Sequence, residues 1–272
     1  MTSFPVPTPS PVTKALIPCG GKGTRMAALS SGAAKELLPI GGVPLVLRVM
    51  EECAASGIDE VLIVSAPGKT DLERLVVAAT GAPGMPRRVE VAVQTEPRGL
   101  ADAIRLGREF TGASPLAVAL PDNLFIGDVP AISQLVEAHH ASGKSVVAIV
   151  ELNAANRERY GPTAVFPGRV QGTEFVIERI PDKGSRTKTF DPKGASSAFT
   201  GVGRYVFRPD VFAAIDEVEA TLHAGSELDD IPVMQLLLQS ALLTGCVIRG
   251  DFLDVGIPSG YLEADQRFRT RL

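Results

Sequence analysis

The chain has 272 residues, 45% of them hydrophobic, with 27 Lys and Arg against 31 Asp and Glu for a formal net charge of −4. That is enough apolar residue for a sizeable core, and the acidic balance excludes a basic nucleic-acid-binding face. No apolar run approaches the ~18 residues of a membrane span and no export signal is visible; Cys19, Cys53 and Cys246 lack metal-ligand spacing, so the expectation is a cytoplasmic protein with reduced thiols.

Residues 1–12, with four prolines among Ser and Thr, read as a disordered leader, and 13–272 as a single domain. Short β-branched apolar runs at Ala15–Pro18, Val61–Ser65, Val89–Val93, Leu116–Leu120 and Val146–Val150 predict buried strands. Between them, Leu45/Val49/Cys53/Ala54, Leu72/Leu75/Val76/Ala79 and Ala103/Ile104/Leu106/Phe110 mark single faces of helices. Strand and helix alternating in this way predict an α/β fold, a Rossmann-like doubly wound, mixed but mostly parallel sheet. After about residue 150 the texture changes. Thr163–Phe166 and Phe175–Glu178 flank Pro167-Gly168-Arg169 and predict a small antiparallel excursion. Gly203–Phe207 reads as a strand, Pro209–Val218 and Asp229–Leu243 as helices, Cys246–Arg249 as a strand, and Ser259–Arg269 as a closing helix with Ser259 as its N-cap.

The first strand runs into Gly20-Gly21-Lys22-Gly23-Thr24-Arg25-Met26. Glycines can turn backbone N–H groups toward an anion, and Thr24 and Arg25 add a hydroxyl and a guanidinium fork for phosphate oxygens. The spacing is neither a P-loop, which needs Ser or Thr after Gly-Lys, nor a dinucleotide fingerprint, which needs a third glycine or alanine where Met26 stands. A plain strand-to-helix turn is the alternative. Two carboxylates follow at strand ends, Asp122 after Leu120-Pro121 and Asp254 in a turn after the last strand. Each alone could be a turn or cap residue. Beside a phosphate cradle, the two fit Mg²⁺, which takes one or two carboxylates plus phosphate oxygens and water. His139 and His140 are adjacent on a helix and diverge, His223 stands alone, and no nucleophilic triad can be assembled.

The loop at 20–26, taken with Lys35-Glu36-Leu37-Leu38-Pro39, resembles the signature of the sugar-1-phosphate nucleotidylyltransferases, the nucleoside-diphosphate-sugar pyrophosphorylases. Gln94-x4-Gly99-Leu100-Ala101-x-Ala103 is similar to that family's base-reading segment, and Leu120-Pro121-Asp122-Asn123-Leu124-Phe125 to its metal-binding motif. Tyr160-Gly161, Glu178, Gly203-Arg204-Tyr205-Val206 and Asp254-x-Gly256 follow in the order of its sugar side, so the resemblance spans roughly 13–270. Val202–Val206 and Asp251–Gly260 look most like bacterial UTP:glucose-1-phosphate uridylyltransferases, whereas Asp122–Phe125 looks more like the thymidylyltransferase branch. At Ile177–Lys183 the family's Glu-Lys-Pro is absent, which leaves Arg179 or Lys183 for the sugar phosphate.

The resemblance implies a nucleotide-diphospho-sugar transferase fold, with a nucleotide-binding half at about 13–150 and a sugar-binding half at about 151–272. It implies nucleotidyl transfer from a nucleoside triphosphate, UTP favoured, to a sugar 1-phosphate, glucose 1-phosphate favoured, with release of pyrophosphate. Arg25 and Lys35 would be catalytic. Gly20, Gly21, Gly23, Thr24, Gln94 and Gly99 would bind the nucleotide, Tyr160, Gly161, Glu178, Arg179, Lys183 and Gly203 the sugar phosphate, and Asp122 and Asp254 Mg²⁺. A homo-oligomer, dimer or tetramer, is also implied. The alternatives are a thymidylyltransferase, a cytidylyltransferase acting on a non-sugar phosphate, and a non-catalytic nucleotide- or nucleotide-sugar-binding regulator.

Overall fold

Apolar runs become strands wherever both of their faces can be covered. In the computed structural model, residues 10–21, 23–30, 32–152, 165–172, 174–180, 198–223 and 225–270 are described, without the side chains of residues 24, 27, 28 and 165. In chain order come β1 (Lys14–Pro18), a 3-10 turn (Thr24–Met26), α1 (Ala27–Ser30), a second 3-10 turn (Lys35–Leu37), β2 (Pro39–Ile40), β3 (Val43–Pro44), α2 (Leu45–Ala55), β4 (Glu60–Ser65) and α3 (Thr70–Ala79). Next are β5 (Arg88–Val93), α4 (Leu100–Arg105), α5 (Arg108–Thr111), β6 (Leu116–Ala119), β7 (Asn123–Ile126), α6 (Ala131–Ser142) and β8 (Ser145–Leu152). The chain continues through β9 (Val165–Phe166), β10 (Gly168–Gln171), β11 (Glu174–Ile177), β12 (Ala198–Phe207), α7 (Val211–Thr221), α8 (Asp230–Gln239), β13 (Leu243–Val247), β14 (Asp251–Asp254) and α9 (Pro258–Arg269).

The main sheet has the order β10-β11-β13-β8-β12-β6-β1-β4-β5, with β9 also beside β12. Strands β5, β4, β1 and β6 are mutually parallel. Strand β12 lies antiparallel between β6 and β8, and β13 runs parallel to β8. This is the expected mixed, mostly parallel, doubly wound sheet. Along β1 the pleat sends Ile17 into one core, with Val46, Val49 and Ile63, and Leu16 into the other, with Leu62, Ile104 and Val118. The chain leaves β1 on one side toward β4 and β5 and returns on the other at β6. The carboxyl ends of β1 and β6 therefore flank a topological switch point, where open α/β sheets bind ligands.

Several boundaries differ from the sequence reading. In the antiparallel excursion, β11 pairs with β10, while Val165–Phe166 pairs with β12. The connection uses Gly172 at φ 63° in place of Pro167-Gly168. The helix expected over Asp229–Leu243 stops at Gln239 because Ala241 turns at φ 57° and Leu243 is taken by the ladder opposite Ser145. The closing helix begins with Pro258 at its first turn and Ile257 as N-cap, so Ser259 lies inside it. Of the expected leader, residues 1–9 lie outside the described residues, and Val12 is packed into the core. Among the described residues no helix is long and apolar enough to cross a membrane.

Candidate active site

The glycine loop leaves the carboxyl end of β1. Cys19 N donates to Val64 O at 2.7 Å, the last sheet-like bond before the chain turns away. Gly23, at φ 64°, begins the 3-10 turn with Met26 N donating to its carbonyl at 2.9 Å, and the buried Met26 side chain pins that turn to the core. A Cβ on Gly23 would lie 3.4 Å from the Lys35 stem, so the loop rests on the second predicted cation. From behind, Lys69 Nζ donates to the carbonyls of Cys19 and Gly21 and to Glu36 Oε2, the last at 3.0 Å, while Glu36 is fully buried. In a trans peptide the carbonyl and the following N–H point opposite ways, so holding Cys19 O turns Gly20 N–H away from Lys69. Neither Lys69 nor Glu36 was singled out by the sequence reading. Lys69 follows an ordinary Pro-Gly turn and gives no local signal.

The two carboxylates meet through an element the sequence reading missed. Asp251–Asp254 is a strand, not a turn: β14 pairs antiparallel with β7, with Asp254 opposite Asn123 and Val255 N donating to Asp122 O at 2.8 Å. A Cβ on Gly256 would lie 3.0 Å from Asp254 Oδ1, 3.3 Å from Arg25 Nη2 and 3.3 Å from Asp122 Cβ. Arg25, Asp122 and Asp254 thus converge around Gly256, where any Cβ would press on all three. Lys35 Nζ donates to Asp122 Oδ2 at 3.0 Å, Asn123 Nδ2 to Asp122 Oδ1 at 3.2 Å, and Gly256 N to Asp254 Oδ1 at 2.9 Å.

The electrostatics match this geometry. Burial pushes the Asp122 carboxyl up, but Lys35 and then Arg25 outweigh it and the net shift is downward. Burial likewise pulls Lys35 down, and the Asp122 carboxylate overrides it, leaving the ammonium more firmly charged. Asp254 is raised, first by burial and then by the neighbouring Asp122 charge. Two carboxylates that repel each other beside this glycine loop are a hard-oxygen donor pair suited to a divalent cation, which would relieve that repulsion. Among the described residues no cluster of three or more His, Cys, Asp or Glu side chains could hold a metal, so phosphate and water oxygens would complete the shell.

A cavity of about 280 Å³ extends from Gly20, Gly21, Lys35 and Asp122 to Gln94, Pro97, Gly99, Leu100 and Glu227. Gln94 is buried, and its Nε2 donates to Gly99 O at 3.1 Å and to Asp102 Oδ2 at 2.8 Å. Its Oε1 faces Gly20, 2.8 Å from where a Cβ on that glycine would be. Gly99 has φ 117° and ψ 175°, and a Cβ there would fall 2.4 Å from Leu228 O. That residue comes from the second half of the chain: Leu228 N donates to Arg98 O at 2.6 Å and its carbonyl accepts from Asp102 N at 3.2 Å. The segment from Gln94 to Ala103 is therefore clamped against the connection into α8.

Of the residues expected to bind the sugar phosphate, Tyr160, Gly161 and Lys183 lie outside the described residues, as does the side chain of Thr24 in the glycine loop. Glu178 and Arg179 follow β11 and are exposed, with Glu178 Oε1 3.5 Å from Arg169 Nη1. Gly203 sits in β12, where a Cβ would strike the Leu120 side chain at 2.5 Å and where its carbonyl accepts from Leu120 N at 2.8 Å. Its neighbour Arg204 is fully buried: Nε and Nη2 grip the Glu52 carboxylate, and Nη1 donates to Leu120 O and Gly203 O, each at 2.9 Å. Gly203 and Arg204 thus hold the strand end that presents Asp122.

Residues 14–271 match the model of the nucleotidyl transferase family. A Bacillus subtilis (strain 168) protein is 30% identical over 93% of this chain and 95% of its own length. The Staphylococcus saprophyticus UTP–glucose-1-phosphate uridylyltransferase 2 is 30% identical over 93% of this chain and 90% of its own. Among solved structures, an apo UDP-glucose pyrophosphorylase superposes with a TM-score of 0.79 at 24% identity, covering 96% of this chain and all of that one, and so shares the fold. Nucleotidyl transferases of this family generally use a divalent metal. With a glycine loop, two cations and two carboxylates gathered at the switch point of such a sheet, the chain belongs to the nucleotidyl transferase family.

Proposed function

We propose that this enzyme transfers a uridylyl group from UTP to glucose 1-phosphate, releasing pyrophosphate and forming UDP-glucose. The observation that carries the reading is the convergence of Arg25, Asp122 and Asp254 around Gly256, with Lys35 on Asp122, at the end of the cavity lined by Gln94 and Gly99. The names borne by its relatives at 30% identity supply the base and the sugar.

In this reading a sugar-phosphate oxygen attacks the α-phosphorus in line and pyrophosphate departs, so the protein contributes position and charge. Gly20 and Gly21 amides cradle the triphosphate, with Gly23 and Thr24 completing the loop. Arg25 neutralises the leaving phosphates as charge develops on them, and Lys35 moves its contact from Asp122 to the α-phosphate and the incoming sugar phosphate. Asp122 and Asp254 would hold Mg²⁺, which when bound draws charge from the phosphate oxygens. Tyr160, Gly161, Glu178, Arg179, Lys183 and Gly203 are assigned to the sugar phosphate side. A cytoplasmic setting accords with three buried free thiols.

A matrix assay of pyrophosphate release tests the assignment: five nucleoside triphosphates against several sugar 1-phosphates and phosphocholine, with Mg²⁺. The highest kcat/KM is expected for UTP with glucose 1-phosphate. A maximum with dTTP would move the chain to the thymidylyltransferase branch, one with CTP and phosphocholine would end the sugar reading, and silence in every well would leave a binding protein.

A further inference from the structure

We propose that Asp102 is a positioning residue for base selection: it locks the Gln94 amide so that an oxygen acceptor, not an N–H donor, faces the base cavity. This rests on the proposed nucleotidyl transfer and says how the triphosphate is chosen. A glutamine amide can present either its oxygen or its nitrogen, and only its surroundings decide which. Here both N–H groups are committed, one to Gly99 O at 3.1 Å and one to Asp102 Oδ2 at 2.8 Å. Flipping the amide would set its oxygen against a carbonyl and a carboxylate, two acceptors that have nothing to donate. Among the described residues Oε1 accepts no hydrogen bond, and it points at Gly20, which lines the cavity with Gln94.

Asp102 is itself held. Its side chain is 7% exposed, Arg105 Nη2 lies 2.6 Å from its Oδ1 and Arg98 Nη1 3.7 Å from the same oxygen. Both arginines also reach Glu219 on α7, at 2.6 and 2.7 Å. The carboxylate has no freedom to turn from Gln94 without breaking these pairs. An acceptor fixed in this place complements a base that offers a ring N–H, as uracil and thymine do at N3. It opposes cytosine, whose N3 is a bare acceptor. Discrimination of this kind is strong because the mismatched base leaves buried acceptors facing each other.

The test compares kcat/KM for UTP and CTP in the wild type, Asp102→Asn, Gln94→Met and the double variant, with far-ultraviolet circular dichroism to verify the fold. Asparagine keeps the shape but can donate to Oε1, which frees the amide to turn. The UTP-to-CTP ratio is expected to fall by about 10- to 100-fold in Asp102→Asn, the span of one buried unsatisfied hydrogen bond. In the Gln94→Met background the same change should move the ratio less than about twofold, because the effect travels through that amide. A ratio unchanged by Asp102→Asn, or shifted equally in both backgrounds, overturns the inference while leaving UTP turnover by the wild type intact. A probe that needs no variant is 3-deaza-UTP, which carries C–H in place of the N3–H. It should lose at least about 10-fold in kcat/KM, and equal turnover would refute the acceptor orientation. Absence of turnover with every triphosphate removes both this inference and the reading beneath it.

Discussion

Gly99 admits two explanations that a single substitution separates. A base could lie flat on it because it has no side chain, or the fold could demand glycine there whether or not nucleotide is bound. The structure favours the second. At φ 117° and ψ 175° Gly99 occupies a region essentially closed to residues with a Cβ, and forcing one in costs about 1–3 kcal/mol. The added Cβ would also sit 2.4 Å from Leu228 O and 2.7 Å from Leu228 C. These are backbone atoms that cannot swing aside, so overpacking adds about 1–3 kcal/mol more. Gly99→Ala should therefore destabilise the nucleotide-free protein by about 2–6 kcal/mol. At roughly 2–4 °C per kcal/mol for a domain of this size, the Tm should drop by at least about 4 °C. Shortening the Leu228 side chain should not restore it, since the collision is with main chain. Urea denaturation without ligand gives the free energy, and UTP titration gives the accompanying rise in KM as the Gln94–Gly99 contact shifts. A Gly99→Ala protein as stable as the wild type, impaired only in nucleotide binding, would refute the reasoning and return the glycine to a role in seating the base.

Arg25→Ala and Lys35→Ala should each lower kcat/KM by on the order of 10²-fold or more in the pyrophosphate-release assay, the scale of losing one charge-stabilising donor; near-normal turnover in both would sink the assignment. Arg204→Met strands the Glu52 carboxylate, 9% exposed, without its buried guanidinium and should cost about 3–5 kcal/mol, whereas Arg204→Met with Glu52→Leu should recover much of that. Additive losses in a urea double-mutant cycle would contradict the pairing. Asp230, which accepts from the Tyr205 hydroxyl at 3.0 Å, has its carboxyl raised from the ordinary 3.8 to about 7 by burial and then by Asp229. Between those values the native state binds more protons than the unfolded chain, so this group's contribution declines as pH rises from about 4 to 7. The stability of the wild type relative to Asp230→Asn should fall across that window, and a difference that stays flat with pH would show that the raised carboxyl is not there.

Periodicity and punctuation carried much of the fold. Leu16-Ile17, Leu62-Ile63 and Ala117-Val118 are runs whose two faces both lie in the core, and such runs betray themselves in sequence. The candidate site was legible where backbone chemistry sets residue type: glycines at the loop, a cation behind them, an aspartate past a strand end. What stayed hidden depends on pairing at a distance. Asp251–Asp254 reads as a turn because it is short and charged at both ends, and only the β7 edge makes it a strand. Lys69, Asp102 and Leu228 gave no local signal either, since each acts through a carbonyl, an amide or a backbone path supplied from elsewhere in the chain. Gly203 and Gly99 were picked out as ligand-lining positions. Their geometry shows that packing against Leu120 and Leu228 already requires a glycine.

The β7–β14 ribbon also bears on how the enzyme comes into being. Its two strands lie far apart in the chain, so β14 is synthesised long after β7 and their pairing must close a long loop. A nascent chain could complete the glycine loop and the parallel strands around it while Asp122 still lacked Asp254. Only arrival of the C-terminal segment would bring in the second carboxylate. Chains interrupted before that point would lack the Asp254 carboxylate beside Asp122, and with it half of the proposed Mg²⁺ donor pair.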